Sequence, residues 1–201
     1  PPDLTISCDP EKVLAANPEL GDPDTAEYMA TGVLFARGLL NFGGFQLHAS
    51  AVELEGRAWL FSGPPGIGKS TMARRWERLF GAAPLNDDKP ALRRLDGTWT
   101  AFGTPWSGKD GLSRPAGAPL GALVFLRRGE DDQMDSLAPA GALPLLLSQT
   151  VRTLGREDMD KLLALADRLL GEIPVWQLTC TDRDGAALLA REALCPAAGE
   201  P

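Results

Sequence analysis

The chain has 201 residues, 44% of them hydrophobic, with a net charge of -7 and a single histidine. Such a length fits one substantial core rather than two large ones. The acidic balance excludes general nucleic-acid binding, which needs a basic face to displace counterions, and no apolar run approaches the roughly 18 residues of a membrane span.

In chain order, Asp3 to Cys8 alternates and predicts a strand. Thr25 to about Leu40 predicts an amphipathic helix, with Asp24 or Thr25 as its cap and Gly43-Gly44 as its stop. Phe45 to Leu54 predicts a strand, Glu55-Gly56 a tight turn, and Arg57 to Phe61 a buried strand antiparallel to the one before it. A glycine-rich stretch, Gly63 to Ser70, leads into a helix from Ser70 to Phe80, stopped by Gly81. Pro84 to Pro90 follows; Ala91 to Leu95 and Thr98 to Phe102 then flank Asp96-Gly97, a type I′ hairpin signal. Gly103 to Pro119 has the composition of a functional loop. Leu120 to Leu126 predicts a buried strand and Gly129 to Asp135 an acidic turn. Helices are predicted over Leu143 to Leu154 and Arg156 to Leu170, split at Gly155. Ile173 to Cys180 predicts a strand, and Asp182 to Leu194 a last helix capped by Thr181 or Asp182. One domain over 1–195 and a frayed tail over 196–201 are expected.

Cys8, Cys180 and Cys195 are far apart and form no zinc-type cluster. Their odd count fits a reducing, cytoplasmic setting. Pro1-Pro2-Asp3 shows no basic-then-apolar leader, so no signal peptide is expected.

The chemistry centres on Gly63-Pro64-Pro65-Gly66-Ile67-Gly68-Lys69-Ser70, which fills each fixed position of the phosphate-loop pattern G-x-x-x-x-G-K-[ST]. Glycines let successive N–H groups point at phosphate oxygens, and the helix that follows, with Thr71 in its first turn, adds its positive end. In such a loop Lys69 neutralises the β- and γ-phosphates and the Ser70 hydroxyl meets Mg²⁺. A metal-holding acid is needed as well, and Asp87-Asp88 is the best pair. Adjacent residues of an extended segment diverge, so one carboxylate can face a metal and the other an acceptor. Asn-Asp-Asp before Lys-Pro is equally ordinary turn chemistry. His48, taken alone, reads as a strand residue. Lys109, Arg114, Arg127 and Arg128 are candidate clamps for an anionic group, the first two on the Gly/Pro-rich loop as a lid.

Leu47-His48-Ala49-Ser50-Ala51-Val52, then the strand pair, then Gly63 to Ser70, then Asn86-Asp87-Asp88 resembles the core of the HPr kinase/phosphorylase family and is similar to the ATP-dependent phosphoenolpyruvate carboxykinases. The resemblance implies an α/β fold: a single P-loop domain with a mixed, largely antiparallel sheet flanked by helices. It implies Asp87 as the acid/base group near the acceptor hydroxyl. Asp88 joins Ser70 on Mg²⁺, and His48 lies near the metal and γ-phosphate. The order of roles within the Asp pair stays open. No counterpart of the HPr kinase signature segment follows that pair, so HPr itself, phosphorylase activity and hexamers are not implied. The expectation is an ATP- and Mg-dependent kinase acting on a hydroxyl, that of a peptide or protein serine, with a homo-oligomer allowed. A nucleotide-binding regulatory switch and a small-metabolite kinase are the alternatives.

Overall fold

The computed structural model describes residues 4–108, 111–150 and 155–195. Its frame is one sheet of nine strands, with helices on both faces. The strands are β1 (Gly44–Gln46), β2 (Ala49–Leu54), β3 (Arg57–Ser62), β4 (Ala83–Asn86), β5 (Ala91–Leu95), β6 (Thr98–Phe102), β7 (Gly117–Arg128), β8 (Gln133–Ser136) and β9 (Val175–Cys180). The helices are α1 (Pro10–Ala16), α2 (Pro23–Leu40), α3 (Lys69–Phe80), α4 (Pro139–Ser148), α5 (Arg156–Glu172) and α6 (Gly185–Leu194).

The sheet is mixed and mostly antiparallel. Its order runs β1-β5-β6-β7-β3-β2-β4, and β9 lies between β7 and β8. Only β3–β7 and β7–β9 are parallel. Strand β7 is long enough to change partners. Its first residues pair with β6, and from Leu123 onward that edge pairs with β9. Because side chains alternate across a strand, β2, β3 and β7 supply two cores. Ala51, Leu60, Leu123 and Phe125 pack with Leu146 of α4 and Leu162, Ala166 and Leu169 of α5. Val52, Phe61, Val124 and Leu126 face Met72 and Trp76 of α3 and Ala186, Ala187 and Ala190 of α6. Burial on both faces explains the unbroken apolar runs of β3 and β7.

Several expected elements move. Residues 4–8 join no strand, and α1 precedes α2 instead, capped by the Asp9 carboxylate. The N-cap of α2 is Asp22, whose carboxylate accepts from Thr25 N at 2.9 Å, rather than Asp24 or Thr25. The run from Phe45 to Leu54 is two strands, because Gln46 still pairs with β5 whereas Ala49 already pairs with Ser62 of β3. Strand β4 emerges from the stretch after Gly81. Strand β8 replaces part of the acidic turn, and β7 starts at Gly117 inside the expected loop. Helix α4 begins earlier than Leu143, at Pro139; the expected end at Leu154 lies outside the described residues. Helix α6 starts at Gly185; Thr181 and Asp182 do not cap it. Residues 1–3, Lys109 and the tail 196–201 also lie outside the described residues. Among the described residues no helix is long and apolar enough to cross a membrane.

Candidate active site

Topology brings three chain segments to one end of the sheet. Strand β3 ends at Ser62, β2 begins at Ala49 opposite it, and β4 ends at Asn86 opposite Ala51. Antiparallel pairing on both sides of β2 therefore places the residues before β2, after β3 and after β4 together. Those residues are His48, the glycine-rich loop and Asp87-Asp88.

The loop joins β3 to α3. Gly63, Gly66 and Gly68 have φ of 145, 76 and 111°, values that favour glycine. Helix α3 starts without a side-chain cap at Gly68, so its first N–H groups remain directed at the loop. Lys69 is the first helical residue and is 8% exposed. Its ammonium donates to the carbonyls of Gly63 at 3.0 Å and Pro64 at 3.2 Å. Burial lowers its pKa, while Asp88 and Asp87 raise it. The two carboxylates thus lie within electrostatic reach of the loop lysine.

Asn86 fixes the acidic pair. It is 1% exposed, and its amide NH₂ donates to the Thr104 and Trp106 carbonyls at 3.0 and 3.2 Å. Its amide oxygen accepts from Asp88 N and Lys89 N at 3.0 and 2.7 Å, which forms the turn carrying the pair. Asp87 N donates to the Leu112 carbonyl, and its Oδ1 accepts from the Ser50 hydroxyl at 2.7 Å. Asp87 also lines a narrow crevice with Ser70. Asp88 Oδ1 lies 3.4 Å from His48 Nε2. The backbone of His48 is held too. Its N–H donates to the Gln149 carbonyl and its carbonyl accepts from Ser62 Oγ, both at 2.8 Å. Burial and the Lys69 charge lower the His48 pKa below 6.5, against an upward pull from Asp88 and a Gln149 hydrogen bond. The imidazole is therefore neutral at neutral pH.

Two clefts adjoin these groups. One, of 410 Å³, is lined by Gly32, Val33, Gln46, His48, Asp88, Lys89 and Gln149, among others. Lys89 makes no ion pair there with any described residue. The other, of 430 Å³, runs along the glycine-rich loop to the carboxyl ends of β7 and β9.

The four basic candidates separate. Arg128 donates from Nη2 to the Gly66 carbonyl at 2.8 Å, on the loop itself. Arg114 instead pairs with Glu53. Arg127 is exposed at the end of β7. The segment expected to be a lid is stitched down in its described part: Trp106 Nε1 donates to the Tyr28 carbonyl at 2.9 Å and its ring stacks on Phe35. Sequence reasoning overlooked Asn86 as the scaffold, Gln149 against His48, and the Ser50–Asp87 bond. Only the Asn-Asp-Asp turn chemistry pointed to the first.

No protein-family profile and no curated protein matches the chain. Among solved structures it is similar to the HPr(Ser) kinase/phosphatase from Coxiella burnetii, at 13% identity and a TM-score of 0.43, over 74% of this chain and 87% of that one.

Proposed function

We propose that the chain is an ATP- and Mg²⁺-dependent kinase that transfers the γ-phosphoryl group to a hydroxyl, that of a serine in a peptide or protein. The observation that carries this reading is the meeting of Lys69, His48, Asp87 and Asp88 at the mouth of one glycine-rich loop. The loop's N–H groups and Lys69 suit a triphosphate. Ser70 and Asp88 are hard oxygen donors of the kind Mg²⁺ takes alongside phosphates, and a closed protein cage is not required. Mg²⁺, when bound, supplies neutralisation of the charge on the transferred group.

Asp87 suits the acceptor. The Ser50 hydroxyl occupies its Oδ1 and orients the carboxylate, while Oδ2 accepts no hydrogen bond from a described residue. Gly108 packs against the same residue, since a Cβ there would come 2.9 Å from the Asp87 carbonyl. The acceptor proton would pass to Oδ2 as the new oxygen–phosphorus bond forms and the bond from the γ-phosphorus to the bridging oxygen breaks, releasing ADP. His48, neutral and beside Asp88, orients that carboxylate towards the loop.

Incubation with γ-labelled ATP, Mg²⁺ and serine-bearing peptides tests the reading. Label on a peptide is expected; release of free phosphate with every acceptor would make the chain a nucleotide switch instead. Lys69→Ala should abolish transfer. Asp87→Asn should retain ATP binding and slow transfer by about 10²–10⁴-fold. Full transfer by the Asp87→Asn variant would remove Asp87 from the mechanism.

A further inference from the structure

The 430 Å³ cleft borders the glycine-rich loop, but its remaining walls have no role in the chemistry derived above. Gly66, Ile67 and Gly68 of the loop form one side of it, and Thr71, Met72 and Arg75 of α3 another. Arg128 and Gly129 after β7, and Cys180, Thr181 and Asp182 after β9, complete it. These positions follow the carboxyl ends of the three mutually parallel strands β3, β7 and β9. A crevice at such strand ends is where open α/β sheets take ligands, and the volume falls in the range of small-molecule sites. It shares no lining residue with the cleft beside His48 and Asp88.

The lining is chemically divided. Arg75 is held by Asp182 at 2.7 Å and by Asp184 at 3.4 Å, so its charge is offset. Arg128 is anchored only by its bond to the Gly66 carbonyl and makes no ion pair with a described residue. A guanidinium fixed in this way presents a flat face on which an aromatic heterocycle stacks. Ile67, partly exposed, adds apolar surface to the lining. The Asp182 carboxylate is 96% exposed while bonded to Arg75, which leaves it lone pairs for sugar hydroxyls.

We propose that this cleft seats the nucleoside of the donor nucleotide, with Arg128 as the residue that makes a nucleoside triphosphate bind more tightly than a bare triphosphate chain. The assignment rests on the nucleotide reading above. Binding of ATP and of inorganic tripolyphosphate, each with Mg²⁺, is compared by calorimetry on the wild-type chain and on Arg128→Ala. Wild type should prefer ATP. The variant should lose about tenfold or more for ATP and less than about twofold for tripolyphosphate. Equal losses would make Arg128 a phosphate clamp, and no loss would make it a bystander; either overturns the assignment. Wild type that binds both ligands equally overturns the nucleoside seat while sparing the phosphate loop. Wild type that binds neither overturns the nucleotide reading as well.

Cys180 offers a readout on the unmutated protein. Alkylation in alkaline buffer, followed by mass spectrometry of each cysteine, should show Cys180 protected by saturating ATP but not by tripolyphosphate. Cys8 and Cys195 should react at unchanged rates. Equal Cys180 rates with and without ATP contradict the seat.

Discussion

At the residue scale, His48 is pulled in two directions. Burial and the Lys69 ammonium favour the neutral ring; Asp88 favours the charged one; burial and Lys69 prevail. The unfolded chain therefore takes up a proton near pH 6.5 that the folded chain takes up only at lower pH. Stability is full above about pH 6.5 and falls as the pH drops below it, because the unfolded state then binds more protons. As this is the chain's one histidine, its imidazole NMR titration is unambiguous, and a midpoint below 6.5 is expected in the metal-free protein. His48→Gln should flatten the fall in denaturant stability below pH 6.5; a midpoint above 6.5 would show that Asp88 prevails. Asn86 is the second critical residue. Asn86→Ala leaves the Asp88 and Lys89 N–H groups without their partner, while the Thr104 and Trp106 carbonyls keep the Ser113 and Thr104 hydroxyls; the cost is about 2–4 kcal/mol by urea denaturation. A loss under about 0.5 kcal/mol would mean that water replaces the amide.

At the element scale, strong local signals were readable and weak ones were not. Asp96-Gly97 forms the expected hairpin turn, with φ of 47 and 85°, and Gly81 ends α3 in the left-handed conformation. Strand β4 was illegible because it is four residues long and contains Pro84, which an edge strand tolerates. Strand β8 is largely exposed and α1 has no fully buried residue, so neither carries a periodic apolar signal. The break between β1 and β2 depends on which neighbour each pairs with, and no local pattern records that. The close approach of β4 to the segment after β6 gives a test. A Cβ on Gly103 would collide with the backbone carbonyls of Arg114 and Leu85, and neither can swing aside. Gly103→Ala should lower the melting temperature by several degrees, on the order of 1–3 kcal/mol. An unchanged melting curve would show that the loop can lift away from β4.

At the scale of the whole molecule, the candidate site is a product of topology. The glycine-rich loop between β3 and α3 stands in eight consecutive residues, so its turn was legible. His48 and Asp87-Asp88 drew attention through their resemblance to a known family. Their neighbours were not legible, because Ser50 with Asp87, Asn86 with Thr104 and Arg128 with Gly66 are far apart in sequence. The antiparallel placement of β2 between β3 and β4 brings the first pair to one sheet end, and the parallel pairing of β3 with β7 brings the last. A metal–triphosphate held by the glycine-rich loop would lie beside the single imidazole, and paramagnetic broadening of the His48 NMR signals by Mn²⁺ with ATP measures that directly. Broadening should need both Mn²⁺ and ATP and should vanish in Lys69→Ala. Sharp His48 signals at saturating Mn²⁺ and ATP would contradict the site.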